Sequence, residues 1–338
     1  MKKTILTLLA FPVLAVGLSA CGGGSSQAPS SAAPQSSAAP SSAAPKTFKI
    51  GVSQLGPHPA LDAATQGFVD TLQAHFGNRV DIDVQSADFD TAICNTIANN
   101  FVSKNVDLIM ANATPALQAA SAATATIPIL GTSVTDYGVA LDIEDFDGKT
   151  GINVSGTSDG VPYAPQAAMV KEVFPDAEKI GIFYCAAEAN SKIQGDQMRI
   201  EFEKLGFSVE VATFSDSNEV STVLAPFINK IDVLYIPTDN VCANAAGTIN
   251  NICEPAGMPV FAAEEGLCSG CGEITLSISY YNLGVVTAEQ AIMILENGAD
   301  IKTMEVAYDN NPAKKYHPAR CAELNISIPA GYLPIEEE

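Results

Sequence analysis

Basic residues are scarce in this chain of 338 residues: 17 Lys and Arg, with three His, face 38 Asp and Glu, for a formal charge of −21. A surface so poor in cations cannot neutralise phosphates, which excludes nucleic acid and an anionic membrane face as partners. Beyond residue 17 no apolar run approaches the roughly 18 residues of a spanning helix. The phosphate-cradling Gly-x-x-x-x-Gly-Lys-Ser/Thr and the nucleophile elbow Gly-x-Ser-x-Gly are both missing. Gly51-Val-Ser-Gln-Leu-Gly56 is followed by Pro57, which does not fit a dinucleotide fingerprint. His58 lies near Asp62 but between Pro57 and Pro59, an arrangement that suits a rigid binding loop better than a proton shuttle. The expectation is a protein without catalysis, cofactor or metal.

What is present begins with an address. Lys2 and Lys3 precede an apolar run, Thr4 to Gly17, that ends abruptly in Leu18-Ser19-Ala20-Cys21 and a Gly/Ser stretch. The run is too short for a membrane span and reads as a cleaved signal over residues 1–20. The tetrad resembles the bacterial lipobox, in which the Cys carries lipid; the plainer alternative is an ordinary signal with a chance Cys after the cut. Acyl chains on Cys21 would anchor the protein, each buried CH2 contributing about 0.8 kcal/mol. From Gly22 to Pro45 no large apolar residue occurs, and Ser-Ser-Ala-Ala-Pro recurs. Such a segment cannot offset its ordering entropy, so residues 21–45 read as a disordered tether with a reach on the order of 30 Å.

The seven later cysteines are Cys94, Cys185, Cys242, Cys253, Cys268, Cys271 and Cys321. An odd number leaves at least one thiol free or paired between chains. Cys268-Ser-Gly-Cys271 follows Glu264-Glu265-Gly266-Leu267 in an apparent loop, unlike a redox motif that opens a helix after a strand. Cys242 and Cys253 are too widely spaced for one arm of a zinc site. Buried idle thiols, local disulfides, and metal or redox chemistry all remain open on spacing alone.

The body alternates two periods. Short β-rich runs at 48–53, 80–84, 106–111 and 128–134 alternate with helical patterns at 60–76, 91–102 and 115–124. After residue 154 the alternation restarts, with strands at 179–185, 208–213, 233–237 and 259–262 and helices at 162–174, 191–205, 219–229 and 243–256. This predicts an α/β fold with two doubly wound parallel-sheet lobes joined by a hinge. Residues 46–154 with about 281–310 make the first lobe, and 155–280 with about 311–338 the second.

In open α/β sheets ligands sit beyond the carboxyl ends of strands. Those positions carry Gln54 and His58, Thr114, Thr135 and Asp136, Glu188, Asn190 and Ser191, Thr238, Asp239 and Asn240, and Glu264. Two lobes presenting such loops could close over a small molecule. The same residue types at strand-to-helix junctions also serve as ordinary helix caps.

The pieces Ile50-Gly-Val-Ser-Gln54, His58-Pro-Ala-Leu-Asp62, Ala113-Thr-Pro-Ala116, Ser133-Val-Thr-Asp136, Val154-Ser-Gly-Thr-Ser-Asp159, Glu188-Ala-Asn-Ser191, Pro237-Thr-Asp-Asn240 and Tyr280-Tyr-Asn-Leu-Gly284 occur in an order that resembles one family. It is that of the ABC-transporter substrate-binding lipoproteins of the tryptophan/tyrosine-binding type, with the type I periplasmic-binding fold. Ser279 stands where an Asp is usual, and His317 where an Asn is. The resemblance implies a membrane-anchored, extracytoplasmic monomer that hands a small substrate, an aromatic amino acid such as Trp, Tyr or Phe, to a permease driven by an ATPase. It adds Asp159 to the site. A same-fold lipoprotein binding a nucleoside, for import or sensing, is the alternative. For a zwitterion, Asp239 and Glu188 are the expected ammonium partners, and Thr114, Asn190 and Ser191 at helix starts the expected carboxylate donors. Phe89, Tyr137 and Tyr163 are the aromatic candidates for a wall.

Overall fold

The computed structural model describes residues 46–309 and 311–335; the leader, Cys21 and the tether lie outside them. Four β-α steps open the first half. They are β1 (Phe48–Gln54), α1 (Pro59–Phe76), β2 (Val80–Ser86), α2 (Thr91–Ser103), β3 (Leu108–Asn112), α3 (Thr114–Ala123), β4 (Ile129–Thr132) and α4 (Tyr137–Leu141), followed by β5 (Val154–Ser158). The second half holds α5 (Tyr163–Val173), β6 (Lys179–Cys185), α6 (Ala189–Lys204), β7 (Ser208–Phe214), α7 (Val220–Phe227), β8 (Val233–Ile236), α8 (Asn240–Asn244), α9 (Ala246–Ala256), β9 (Val260–Ala262), α10 (Glu265–Cys271) and β10 (Ile274–Ser277). The chain ends in α11 (Tyr280–Leu295), β11 (Ala307–Tyr308), β12 (Ala313–Tyr316), α12 (Pro318–Glu323) and β13 (Leu333–Pro334).

Two sheets result. One runs β11-β5-β4-β3-β1-β2, all parallel; the other runs β13-β12-β10-β9-β8-β6-β7, parallel except where β12 meets β10. β1 and β3 lie inside the first sheet, so their residues are buried on both faces and read as nearly unbroken apolar runs. β5 pairs with β4 from Val154 onward, carrying the first sheet past the boundary expected at residue 154. The helix expected at 243–256 is two helices, α8 starting earlier at Asn240 because Asp239 caps it, and α9.

α11 returns across the hinge and lies on α1. Phe68 and Leu72 of α1 share an apolar cluster with Ala288 and Ala291 of α11. Each fully buried large side chain of this kind contributes about 1.5–3 kcal/mol. Glycine permits the approach: a Cβ on Gly67 would stand 2.1 Å from the Tyr281 carbonyl oxygen, and one on Gly284 2.0 Å from that of Ala64. Among the described residues no helix is long and apolar enough to cross a membrane.

Candidate functional site

The carboxyl ends of both sheets face one cleft, and a narrow cavity of about 20 Å³ lies within it. His58, Leu61, Ser133, Thr135, Asp159 and Tyr280 line it from the first half and the crossings; Asn190, Thr238, Asp239, Asn240, Ala243 and Glu264 line it from the second. Grooves of about 450 and 460 Å³ flank it, the first edged by Phe89, Glu188 and Val241, the second by Ala63, Glu264 and Tyr281. No Lys or Arg lines the cavity.

The first half shapes its loops by backbone conformation. Asp88, Phe89, Ala113 and Ser133 have φ of 49°, 65°, 89° and 53°, a region that costs non-glycine residues on the order of 1–3 kcal/mol. Ala113 and Ser133 directly follow β3 and β4, and Asp88 and Phe89 lie two and three residues past β2. The Phe89 ring covers Gly56, where a Cβ would lie 2.5 Å from it, and stacks against His58 at 6.3 Å.

The second half shapes its loops with buried carboxylates. Asp239 caps α8 by accepting from Cys242 N at 2.8 Å, and its other oxygen accepts from Cys185 N at 2.8 Å, at the end of β6. Glu188 reaches the other way, accepting from Val241 N at 3.0 Å and from Asn240 N and Nδ2 at 3.2 and 2.6 Å. Asn190 Nδ2 also donates to it, at 3.2 Å. Burial, then the Asp239 charge, push Glu188 up to about 8, against the pull of its donors. Burial raises Asp239 as well. Glu264 caps α10 through Gly266 N and Leu267 N, and burial lifts it to about 7. None of the ion pairs among the described residues involves these acids.

Asp159 follows β5 at the crossing between the halves and is 5% exposed. Its Oδ2 accepts from Tyr280 OH at 2.9 Å, and Oδ1 has no partner. Burial raises its pKa; the Tyr280 and Thr135 hydroxyls beside it oppose that rise. His58 meets Asn240 across the cleft, Nε2 to Oδ1 at 3.2 Å. Because Asn240 Nδ2 is committed to Glu188, its Oδ1 must face His58, so Nε2 carries the proton. Burial lowers the His58 pKa and keeps the ring neutral, leaving Nδ1 a bare acceptor without a partner. Asn190 is oriented in the same way: Nδ2 donates to the Thr238 carbonyl at 2.9 Å, and Oδ1 is unpartnered. The Ser133 hydroxyl completes a set of four buried, unpaired polar atoms on this one cavity.

Of the residues singled out in the sequence, His58, Thr135, Asp159, Asn190, Thr238, Asp239, Asn240 and Glu264 therefore line the cavity. Five do not. Gln54 ties its loop to α1, donating to Asp62 Oδ1 at 2.6 Å and accepting from Thr65 Oγ1 at 2.6 Å. Thr114 is buried at the start of α3, Asp136 caps α4 through Val139 N, Ser191 sits behind Asn190, and Glu188 edges the outer groove. Tyr137 is a core residue, its hydroxyl donating to the Thr157 carbonyl at 3.1 Å, so it cannot wall the cleft. Tyr163 packs against the core of the second half, and Phe89 is the aromatic at the groove. Sequence reasoning passed over Ser133 and Tyr280 as site residues, and also Gln194, which shares a helix face with Asn190 at the four-residue spacing. The Cys-x-x-Cys segment is helical in α10, contrary to the loop expected, because Glu264 caps it. All seven described cysteines are free and buried, and no described group of three or more His, Cys, Asp or Glu is placed to hold a metal.

Residues 49–330 match the family described as ABC transporter substrate binding protein. A tyrosine-binding protein of Clostridioides difficile is 39% identical over 254 residues, 74% of this chain and 73% of that protein. Among solved structures, an ABC domain from Streptococcus pneumoniae in complex with L-Trp is 28% identical, with a TM-score of 0.81 over 85% of this chain and all of that one. The ligand-free, open structure of a substrate-binding protein with adhesive properties from Clostridium difficile is 37% identical, with a TM-score of 0.67 over 86% and 100%. The two parallel sheets facing one cleft are the type I periplasmic-binding fold. With that architecture, a cleft built for a small ligand and a family match over nearly the whole described chain, the protein belongs to the ABC transporter substrate-binding proteins.

Proposed function

We propose that this chain is the extracytoplasmic receptor of an ABC importer, tethered through lipid on Cys21, and that it delivers an aromatic amino acid to its permease. The observation that carries the reading is the set of unpaired atoms in the cavity. Asp159 Oδ1, Asn190 Oδ1 and His58 Nδ1 are three buried acceptors without donors, and Ser133 is a hydroxyl without a partner. Buried polar atoms left unpaired cost about 1–3 kcal/mol each, so a ligand able to donate to them binds strongly. An ammonium group has three N–H donors and a charge opposite to the acids around the cavity. Asp159 is its ionic partner, because the oxygens of Asp239 and Glu188 already accept backbone and amide N–H groups. The hydroxyls of Ser133, Thr135 and Thr238 serve the ligand carboxylate, and the Phe89 groove its ring.

Two comparisons support this reading. The relatives bind tyrosine or L-Trp in their own names. The chain is nearer in sequence to the open, ligand-free structure yet nearer in shape to the L-Trp complex, consistent with a closed cleft here. Isothermal titration of the chain from residue 46 with Tyr, Trp, Phe, nucleosides and sugars tests it. Saturable binding of aromatic amino acids alone is expected; binding of a nucleoside or sugar instead would keep the fold and overturn the ligand. Labelling with radioactive palmitate in a bacterial host, lost in Cys21→Ala, tests the anchor.

A further inference from the structure

Gln194 sits inside α6 and is 3% exposed, yet it does not line the cavity. A long amide buried in mid-helix has to be paired, and its pairing crosses the cleft. Its Oε1 accepts from Thr238 N at 3.2 Å, and Nε2 donates to the Thr238 hydroxyl. The same Nε2 donates at 3.1 Å to the hydroxyl of Thr135, in the loop after β4 of the opposite lobe. The two threonine hydroxyls are themselves 3.3 Å apart. Since Thr238 N fixes Oε1, the amide orientation is determined: toward the other lobe Gln194 can only donate. Thr135 accepts with one lone pair and keeps its proton free to turn elsewhere. The loop is held in place by Ser158 Oγ, which donates to the Thr135 carbonyl at 2.9 Å, and Thr135 lines the same cavity as Asp159.

We infer that Gln194 is a closure latch, a positioning residue that donates across the cleft to Thr135 only when the lobes are shut and so ties lobe closure to a hydroxyl that lines the cavity. Opening the cleft breaks the bond between Gln194 and Thr135 while leaving both bonds to Thr238 intact, because those lie within one lobe. Thr135 then loses the donor that aligns its hydroxyl, and donors in series polarise one another. The latch needs no ligand atom, so it biases the protein toward closure before and after capture. It rests on the reading that this cleft opens and closes around a ligand.

The test separates the two ideas. Stopped-flow binding of L-tyrosine and L-tryptophan gives association and dissociation rates, and small-angle X-ray scattering gives the radius of gyration without ligand. In Gln194→Met, which fills the space without hydrogen-bonding, dissociation is expected to rise roughly five- to tenfold with association nearly unchanged. Gln194→Ala should behave the same way, and both should show a larger ligand-free radius than wild type. Adding Thr135→Val to Gln194→Met should raise dissociation by less than the product of the single effects, because both remove one bond. Unchanged dissociation in both Gln194 variants, or multiplicative effects in the double variant, overturns the latch. If wild type binds neither amino acid, the proposed ligand fails, but the scattering still decides: unchanged radii in both variants overturn the latch and larger radii support it.

Discussion

The two halves that meet at the cleft fix their loops by different physics. In the first, non-glycine residues are forced into left-handed backbone at Asp88, Phe89, Ala113 and Ser133, in the loops that follow β2, β3 and β4. In the second, no non-glycine residue from 146 to 309 has positive φ, and the loops are clasped by Glu188, Asp239 and Glu264 accepting N–H groups. Strain stores its cost in torsions, which pH does not reach. Carboxylates store it in desolvation, which protonation relieves. One half is thus set by shape and the other by charge, and the cavity lies between them.

Removing the charge at the crossing should have the largest effect. Asp159→Ala takes away the proposed ionic partner of the ammonium, and aromatic amino-acid affinity measured by titration should fall at least about a hundredfold. Unchanged affinity would move the ammonium elsewhere in the cavity.

Next comes the clasp. Asp239→Ala strands the Cys185 and Cys242 amides in a buried place, and urea unfolding should show about 2–4 kcal/mol lost. A loss below half a kcal/mol would mean water replaces the carboxylate.

A third measurement sets stability against binding across pH. Glu188 and Glu264 are raised in the fold to about 8 and about 7, so the folded chain holds protons that the unfolded chain has already released. Their contribution is full below about pH 4.3 and is lost as pH rises through 7 to 8. The midpoint of thermal unfolding without ligand should therefore fall from pH 5 to pH 8. Ligand affinity should run the other way, since the pKa of Asp159 is also raised and its protonation in acid removes the proposed partner of the ammonium. A midpoint that rises with pH would show the clasps ionised throughout. The smallest effect belongs to the strained half: Ala113→Gly should add about 1 kcal/mol, seen as a midpoint a few degrees higher, with no change in pH dependence.

Much of this division was visible in the sequence and part was hidden for a definite reason. The β-α alternation marked most strands that feed the cleft, because buried parallel strands are apolar runs bounded by turns, but it missed the short, hydroxyl-rich β5 and β10 that lead into Asp159 and Tyr280. It could not separate the acid left with an unpaired oxygen at the cavity from the acid that caps a helix. Asp239 and Asp159 are the same residue type after a strand, and only the position of neighbouring N–H groups tells them apart. The left-handed backbone at Ala113 and Ser133 has no glycine to announce it. α10 went unrecognised because a helix of seven residues with two glycines has too little periodicity to read.

The order in which the strands are made has a consequence for biogenesis. The first sheet takes its outer strand β11, and α1 its cover α11, from residues beyond 279, after β6 to β10 have been completed. A chain emerging amino end first therefore carries the bare faces of Phe68 and Leu72 until nearly all of it has appeared. The half that is synthesised first is the half that must be finished last. For a protein whose family works outside the cytoplasm, the delay keeps the nascent chain threadable: it cannot lock into its native form before most of it is available to be exported.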